Sequence, residues 1–238
     1  MSGSTPKGIA NEREAAAWVR EMFGQVAPRY DLLNHLLSAN IDKGWRARAV
    51  RSVQAILDRQ DARVLDLCCG TGDLAIALKD KAKAQVVASD FCHPMLTAAA
   101  GKTTLPLFES DALELPLTSS SFDLVTVAFG FRNLANYEAG LTELKRVLKP
   151  GGTLAILEFS QPPNATFAAV YNFYSNRVLP AIGAALSGAR EAYTYLPESV
   201  KKFPNAPTLA KMMQTSGYRE VQFEHLTFGV VALHTGKA

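Results

Sequence analysis

Val64-Leu65-Asp66-Leu67-Cys68-Cys69-Gly70-Thr71-Gly72-Asp73 is the stretch that decides how this 238-residue chain folds. An apolar run ends in an acid, a glycine loop follows, and Leu74-Ala75-Ile76-Ala77-Leu78 opens a helix. Such a run reads as a buried parallel strand. Gly70 and Gly72 permit a sharp turn and a close backbone approach to a ligand. The helix that follows points unpaired N–H groups at the loop. A second apolar run, Val86-Val87-Ala88, leads to Asp90, where an α/β nucleotide-binding fold places the acid that holds a ribose.

The loop also constrains its ligand. The loop is not the dinucleotide fingerprint G-x-G-x-x-G, whose positions fall at Gly70, Gly72 and Ala75, but alanine can stand in for the third glycine, so spacing alone leaves NAD open. A Walker loop is excluded, because no Gly-Lys-Ser/Thr follows. Asp66 at the strand end and Asp73 at the helix start would repel a pyrophosphate and welcome an ammonium group. The expected ligand carries a ribose and a positive charge but no phosphate. S-adenosylmethionine has those properties.

Working outward, the core alternates strands and helices, as parallel α/β sheets do. Strands are expected at Arg63–Leu67, Gln85–Ser89, Leu105–Glu109, Asp123–Phe129 and Thr153–Phe159. Helices are expected after the loop, at His93–Gly101, and at Asn136–Lys149, where Leu141, Leu144, Val147 and Leu148 share one face. Pro150-Gly151-Gly152 has the order of a type II turn. Before the core, Asn11 to about Ser38 and Lys43–Asp58 are helical in pattern, with Pro28 suited to a helix start. Trp18, Val19, Met22 and Phe23 form one stripe there, and Leu32, Leu33, Leu36 and Leu37 another. After the core, Ala165–Ala192 is an aromatic-rich helical insertion broken at Pro180, carrying Phe167, Tyr171, Phe173, Tyr174 and Leu186. It reads equally as a core helix pair or as the wall of a large apolar substrate site. Thr208–Ser216 is a helix, Glu220–Glu224 a sixth strand and Phe228–His234 a seventh with Gly229 inside it. The short His225-Leu226-Thr227 link makes the last pair antiparallel. The expected fold is α/β and Rossmann-like: a seven-stranded, mostly parallel sheet with an antiparallel last strand, as in class I methyltransferases. Its parts are a disordered N-terminus at 1–11 and one domain at 12–238. Within that domain, 12–60 is the helical lead-in, 61–160 the cofactor-binding core, 161–204 the insertion, and 205–238 the C-terminal helix and hairpin.

Bulk composition narrows the function classes. A net charge of +3 is too small to argue for a nucleic-acid partner. It admits weak attraction to an anionic membrane surface. Cys68, Cys69 and Cys92 make no disulfide framework, and no Cys/His spacing suits a metal, so a reduced cytoplasmic compartment is expected. The first eight residues have no apolar core and form no signal peptide. No run reaches the ~20 apolar residues of a membrane-spanning helix.

Several stretches carry a resemblance beyond the fold. Asp66-Leu67-Cys68-Cys69-Gly70-Thr71-Gly72 resembles motif I of the S-adenosylmethionine-dependent methyltransferases. Tyr30-Asp31-Leu32-Leu33-Asn34-His35-Leu36-Leu37-Ser38 with Trp45-Arg46, and Phe129-Gly130-Phe131-Arg132-Asn133, are more specific. Leu148-Lys149-Pro150-Gly151-Gly152, Leu157-Glu158-Phe159-Ser160, Tyr193 to Ser199, Phe203-Pro204 and Leu233-His234-Thr235-Gly236 continue the pattern. Together they resemble the family that C-methylates demethylmenaquinol and the benzoquinol precursor of ubiquinone, from about residue 18 to the C-terminus. Departures are small: Cys68-Cys69 stand where many relatives have small residues, Phe228-Gly229 where a Gly-Gly pair is common, and Ala128 where some carry serine.

The resemblance implies S-adenosylmethionine as the cofactor. It assigns Gly70, Thr71 and Gly72 to the methionine part, Asp66 to its ammonium and Asp90, with Phe91 beside it, to the ribose. Asp111 and Ala112 go to the adenine, Ala128 lies at the site without a hydroxyl, and Tyr30 closes over the cofactor. The plainer readings are a helix N-cap for Asp90, a loop residue for Asp111 and core packing for Tyr30. The implied reaction joins a methyl group to a quinol ring carbon. Arg132, Asn133 and Asp31 are the expected catalytic residues, with His35 and Tyr195 as further proton-handling groups. Arg132 would stabilise a phenolate or orient a water, and Asn133 would bond a quinol oxygen. The plainer alternatives pair Arg132 with Asp31, let Asn133 cap the next helix, and make His35 and His234 structural. Lys201-Lys202 is a solvated face or a contact to lipid headgroups. The implied partner is a prenylated quinol, with peripheral contact to the inner face of the membrane and a homo-oligomer both admitted. A methyltransferase for another small or lipid molecule, and a non-catalytic scaffold that binds the cofactor, are the competing readings.

Overall fold

The computed structural model describes residues 3, 4, 6, 9, 11–27, 30, 31, 38, 40–173 and 190–238. Its first strand explains the rest. In β1 (Arg63–Leu67) successive side chains point to opposite faces, yet Val64, Leu65 and Leu67 are all buried. Both faces of the sheet are therefore covered, which is why the strand reads as an unbroken apolar run.

One face packs α2 (Ile41–Ser52), α3 (Gln54–Leu57) and α4 (Asp73–Lys79), through Val50, Val53, Leu57, Leu74, Ala75 and Leu78 against Val64, Val86, Leu124 and Ala155. The other packs α6 (Tyr137–Val147) and α9 (Ala206–Thr215), through Leu141, Leu144, Val147, Leu209 and Met213 against Leu65, Leu67, Val125, Val127, Leu154 and Ile156. Each fully buried leucine or valine contributes about 1.5–3 kcal/mol. The remaining elements are α1 (Glu12–Val26), β2 (Gln85–Asp90), α5 (His93–Ala100), β3 (Leu107–Glu109), β4 (Phe122–Ala128), β5 (Leu148–Phe159), α7 (Ala165–Phe173), α8 (Arg190–Lys202), β6 (Arg219–Leu226) and β7 (Val231–Lys237).

The sheet order is β3-β2-β1-β4-β5-β7-β6. Neighbours from β3 to β5 pair in parallel, and β7 runs antiparallel to both β5 and β6. This is the expected α/β sheet with its antiparallel last strand. The order reverses between β1 and β4, and a crevice forms beyond their C-terminal ends, where open α/β sheets bind ligands.

Local departures have physical causes. The helix expected at Lys43–Asp58 breaks at Val53, whose ψ of 9° ends one helix before the next begins. Asn136 is not the first helical residue but the N-cap of α6, its side chain accepting the Ala139 N–H. The fifth strand starts early, at Leu148, and carries Pro150-Gly151-Gly152 as an irregularity. Gly151 has the positive φ (+77°) that the expected turn requires, and its N–H donates to the carbonyl of Ala238. The third strand begins only at Leu107, and the sixth extends to Leu226. Gly229 lies not in the seventh strand but in a 3-10 turn, Thr227–Gly229, with φ +91°. There it packs on Pro163, where an added Cβ would sit 2.5 Å from Cδ. The helix expected at Thr208 starts at Ala206, because Asn205 caps it. Leu32, Leu33, His35, Leu36 and Leu37, with Pro28, Tyr174, Pro180 and Leu186, lie outside the described residues.

Candidate functional site

A cavity of about 450 Å³ opens at the reversal point. It is lined by the C-terminal ends of β1, β2 and β4, by α1 and α2, and by parts of α7 and α8. Its two halves differ in chemistry.

The first half is built by β1, β2 and the glycine loop. Asp66 is 1 % exposed; its Oδ1 accepts the Thr126 hydroxyl at 2.6 Å, and Oδ2 has no hydrogen-bond partner in the protein. Burial pushes its pKa up to about 7, against the lowering effect of Thr126. A buried carboxylate oxygen left without a donor matches an ammonium from a ligand. Asp90 ties strand to loop, accepting the Gly70 N–H at 2.8 Å and the Cys92 N–H at 2.9 Å. Burial raises its pKa too. The N-cap of α5 is Cys92, so Asp90 does not cap that helix with its side chain. Each oxygen of Asp90 retains acceptor capacity for a ribose hydroxyl.

Gly70 (φ +56°) and Gly72 (φ +87°) make the turn, and Gly72 is the N-cap of α4. A Cβ on Gly70 would lie 3.9 Å from the Tyr30 ring, so Tyr30 stands over the loop. Cys68 (φ +53°) and Phe129 (φ +59°) hold left-handed backbone at the ends of β1 and β4. Gly130 lets these ends touch: a Cβ there would lie 2.3 Å from Cys68 Cβ. Phe91, Asp111, Ala112 and Ala128 also line the cavity. The Asp111 carboxylate accepts the Leu113 N–H at 2.9 Å.

Among the described residues, Gly72 and Asp31 are the predicted site residues that do not line it. Asp31 instead accepts the Thr71 hydroxyl and pairs with Lys102 at 2.7 Å. Lys102 also pairs with Asp73 at 2.8 Å, and Asp73 lies 3.6 Å from Arg46. The segment before the core is thus fastened across the glycine loop by ion pairs.

The second half is aromatic and holds Arg132. A 3-10 turn, Phe131–Asn133, follows β4. Arg132 does not pair with Asp31; its Nη1 donates to Glu158 Oε1 at 3.0 Å and to the carbonyl of Phe129. Burial works against its charge, but Glu158, with Tyr30 and Tyr195 nearby, holds its pKa above the ordinary arginine value. Its guanidinium lies over the Phe159 ring, 5.2 Å from the centroid. Asn133 does not cap α6, since Asn136 does. Its Oδ1 accepts the Tyr195 hydroxyl at 3.0 Å, and Tyr195 also bonds the buried Ser4 at 2.7 Å. Trp45, Phe129 and Phe159 pack with centroids 5.0–6.3 Å apart, and Phe167 and Tyr171 complete that wall. Lys201 reaches the cavity. His234 is structural: its Nε2–H donates to the Ala206 carbonyl at 2.9 Å.

Glu158 was missed as a site residue, although the signal was present. It is the lone acid in the apolar run Leu154–Phe159, and a buried acid requires a partner. Among the described residues no group of three His, Cys, Asp or Glu side chains could hold a metal, and no helix is long and apolar enough to cross a membrane.

Known proteins bear on this arrangement. The model of the ubiE/COQ5 methyltransferase family matches residues 9–238. The demethylmenaquinone methyltransferase of Thermus thermophilus is 51 % identical over 221 residues, covering 90 % of this chain and 99 % of that one. The enzyme of the same name from Deinococcus radiodurans is 46 % identical, covering 99 % of both chains. A solved S-adenosylmethionine-dependent methyltransferase from Thermotoga maritima, described as a possible histamine N-methyltransferase, shares the fold. Its TM-score is 0.64 at 17 % identity, over 91 % of this chain and 98 % of that one.

Proposed function

The chain belongs to the ubiE/COQ5 methyltransferase family, and from that premise we propose that it transfers a methyl group from S-adenosylmethionine to a ring carbon of a prenylated quinol. Demethylmenaquinol is the first substrate, and the benzoquinol of the ubiquinone pathway the second. The observation that carries the reading is a single cavity. It joins an unpartnered buried carboxylate oxygen, on Asp66, to an arginine set in an aromatic wall.

The residues fit the cofactor. Asp66 Oδ2 would take its ammonium, Asp90 its ribose hydroxyls, and Asp111 with Ala112 its adenine. Phe91, Ala128 and Tyr30 would enclose it, and Gly70, Thr71 and Gly72 would let the backbone approach it. When bound, S-adenosylmethionine supplies an electrophilic methyl on a sulfonium.

The chain must then make the ring carbon nucleophilic and aligned. A quinol is electron-rich, and loss of a phenolic proton to a water activates the ortho carbon; the methyl transfer would leave S-adenosylhomocysteine, and loss of the ring carbon's hydrogen as a proton would restore the aromatic ring. Arg132 stays protonated, so it is not the base. It stabilises the phenolate in a site shielded from water, where such a charge counts most. Asn133 keeps its side-chain NH₂ for a quinol oxygen while its carbonyl is held by Tyr195. Asp31 acts on the loop through Thr71. Trp45, Phe129 and Phe159 face the ring, and holding carbon and methyl in line lowers the barrier further. The prenyl tail leaves along the side of Phe167 and Tyr171. Phe228, 76 % exposed, packs on Phe167 with ring centroids 5.2 Å apart and supports peripheral contact with the inner face of the membrane.

Incubation of the purified chain with S-adenosylmethionine and reduced demethylmenaquinol tests this. Menaquinol should form, and faster than any product from a phospholipid or sterol acceptor. Tight cofactor binding without methylation of any prenylated quinol would favour a scaffold instead.

A further inference from the structure

Glu158 sits near the end of β5, on the strand next to the one that delivers Arg132. It is 1 % exposed, and Arg132 is 5 % exposed. One carboxylate holds two ends of the same residue: Oε2 accepts the Arg132 backbone N–H at 3.1 Å, and Oε1 accepts Nη1 at 3.0 Å. Oε1 is itself braced by the Phe159 N–H at 2.8 Å. The Arg132 carbonyl is held from the other side by the Tyr137 hydroxyl at 3.0 Å. With Phe129 O as its second acceptor, Nη1 has both protons used, whereas the buried Nε has no partner in the protein. Phe159 covers one face of the guanidinium.

A buried ion pair is a weak source of stability compared with apolar packing of the same volume. Spanning both backbone and side chain of one arginine is what a positioning device requires. Resting on the reading above, we propose that Glu158 is a positioning residue for the methyl transfer: it fixes the turn and rotamer of Arg132, and with them the donors that the guanidinium keeps for the substrate oxygen. Glu158 touches neither substrate nor cofactor in this role; it acts through Arg132.

The test uses Glu158→Gln, Glu158→Asp, Arg132→Ala and the double variant Arg132→Ala/Glu158→Gln in the full chain. Misplacing a positioned group by about 1 Å costs on the order of 100-fold. Glu158→Gln should therefore lower kcat by roughly that factor while leaving KM for S-adenosylmethionine within about twofold. Glu158→Asp keeps the charge but is one methylene short, and kcat should fall between wild type and Glu158→Gln. Within the Arg132→Ala background, Glu158→Gln should cost less than about threefold more, because residues that act as a unit are not additive. Full additivity, or a wild-type kcat in a folded Glu158→Gln, would overturn the proposal. A second readout needs no turnover. The Arg132 Nε–H resonance should exchange slowly with water in the wild type and at least ~10-fold faster in Glu158→Asp or Glu158→Gln, since protection follows local order. Unchanged exchange refutes the positioning role. Absence of methyl transfer by wild type, with this exchange difference intact, would refute the quinol reading alone.

Discussion

Lowering the pH should weaken cofactor binding through Asp66, and the size of the effect follows from the site. Burial raises its carboxyl from the ordinary 3.8 to about 7, and Oδ2 has no donor in the free protein. An ammonium group binds the ionised form. At pH 7.0 about half of the free protein carries that form, and at pH 5.5 about 3 %; the apparent Kd scales inversely with this fraction. S-adenosylmethionine should thus bind roughly 15-fold more weakly at pH 5.5, a loss on the order of 2 kcal/mol. Its own α-amino group, near 7.7–8.0, remains protonated across this window. Titration calorimetry at both pH values, with proton release measured in buffers of different ionisation heat, checks the number. Asp66→Asn should bind weakly at both and lose most of the slope. A wild-type Kd that moves less than about twofold would refute the reasoning. The sign for stability is opposite. The folded protein binds this proton more tightly than the unfolded chain, so the contribution is full below pH 3.8 and is lost as pH rises through 7. Its size is on the order of 4 kcal/mol.

Three further outcomes follow from the same geometry. Gly130→Ala would place a Cβ 2.3 Å from Cys68 Cβ, so stability in urea should fall by about 1–3 kcal/mol and cofactor affinity with it; an unchanged Kd would mean that the two strand ends can part freely. Asn136→Ala removes the N-cap of α6 and should cost about 1 kcal/mol in urea without changing kcat, whereas a kcat loss would show that α6 does more than pack. Burial lowers the His234 pKa to about 4; its stabilisation is present above 6.5 and lost as pH falls through 4. Relative to His234→Gln, the wild type should then lose roughly 3 kcal/mol over that window, and parallel pH profiles of the two proteins would contradict it.

The parts of the fold that were legible are those set by local periodicity. Val64 and Leu65 lie on opposite faces of β1 and both are buried, so the apolar run and the glycines after it announce a central parallel strand and its loop. The short link before β7 similarly announces an antiparallel closure. What escaped depends on contacts far along the chain. Nothing near Gly229 in sequence reveals that Pro163 packs on it. The pairing of Pro150-Gly151-Gly152 with the C-terminal Ala238 makes a bulged strand from a turn signal. At the site, Asp66, Gly70 and Asp90 could be read because the loop brings them together within a few residues of strand ends. Arg132 pairs with Glu158, 26 residues away, and Asn133 with Tyr195, 62 residues away. Residue types alone offered Asp31 as a partner for Arg132 and helix capping as a role for Asn133; the adjacency of β4 and β5 gives Arg132 to Glu158, and α8 brings Tyr195 to Asn133.

The central claim is that one cavity holds a methyl donor by Asp66 and delivers its methyl to a quinol carbon beside Arg132. Single-turnover reaction of the wild-type chain with S-adenosylmethionine carrying a ¹³C-labelled methyl, and reduced demethylmenaquinol, tests it most directly. The account predicts that NMR of the product finds the label on the ring carbon ortho to a quinol oxygen, and that Arg132→Ala slows its appearance at least ~100-fold with cofactor binding intact. Label on a quinol oxygen, or an equal rate in Arg132→Ala, would contradict it.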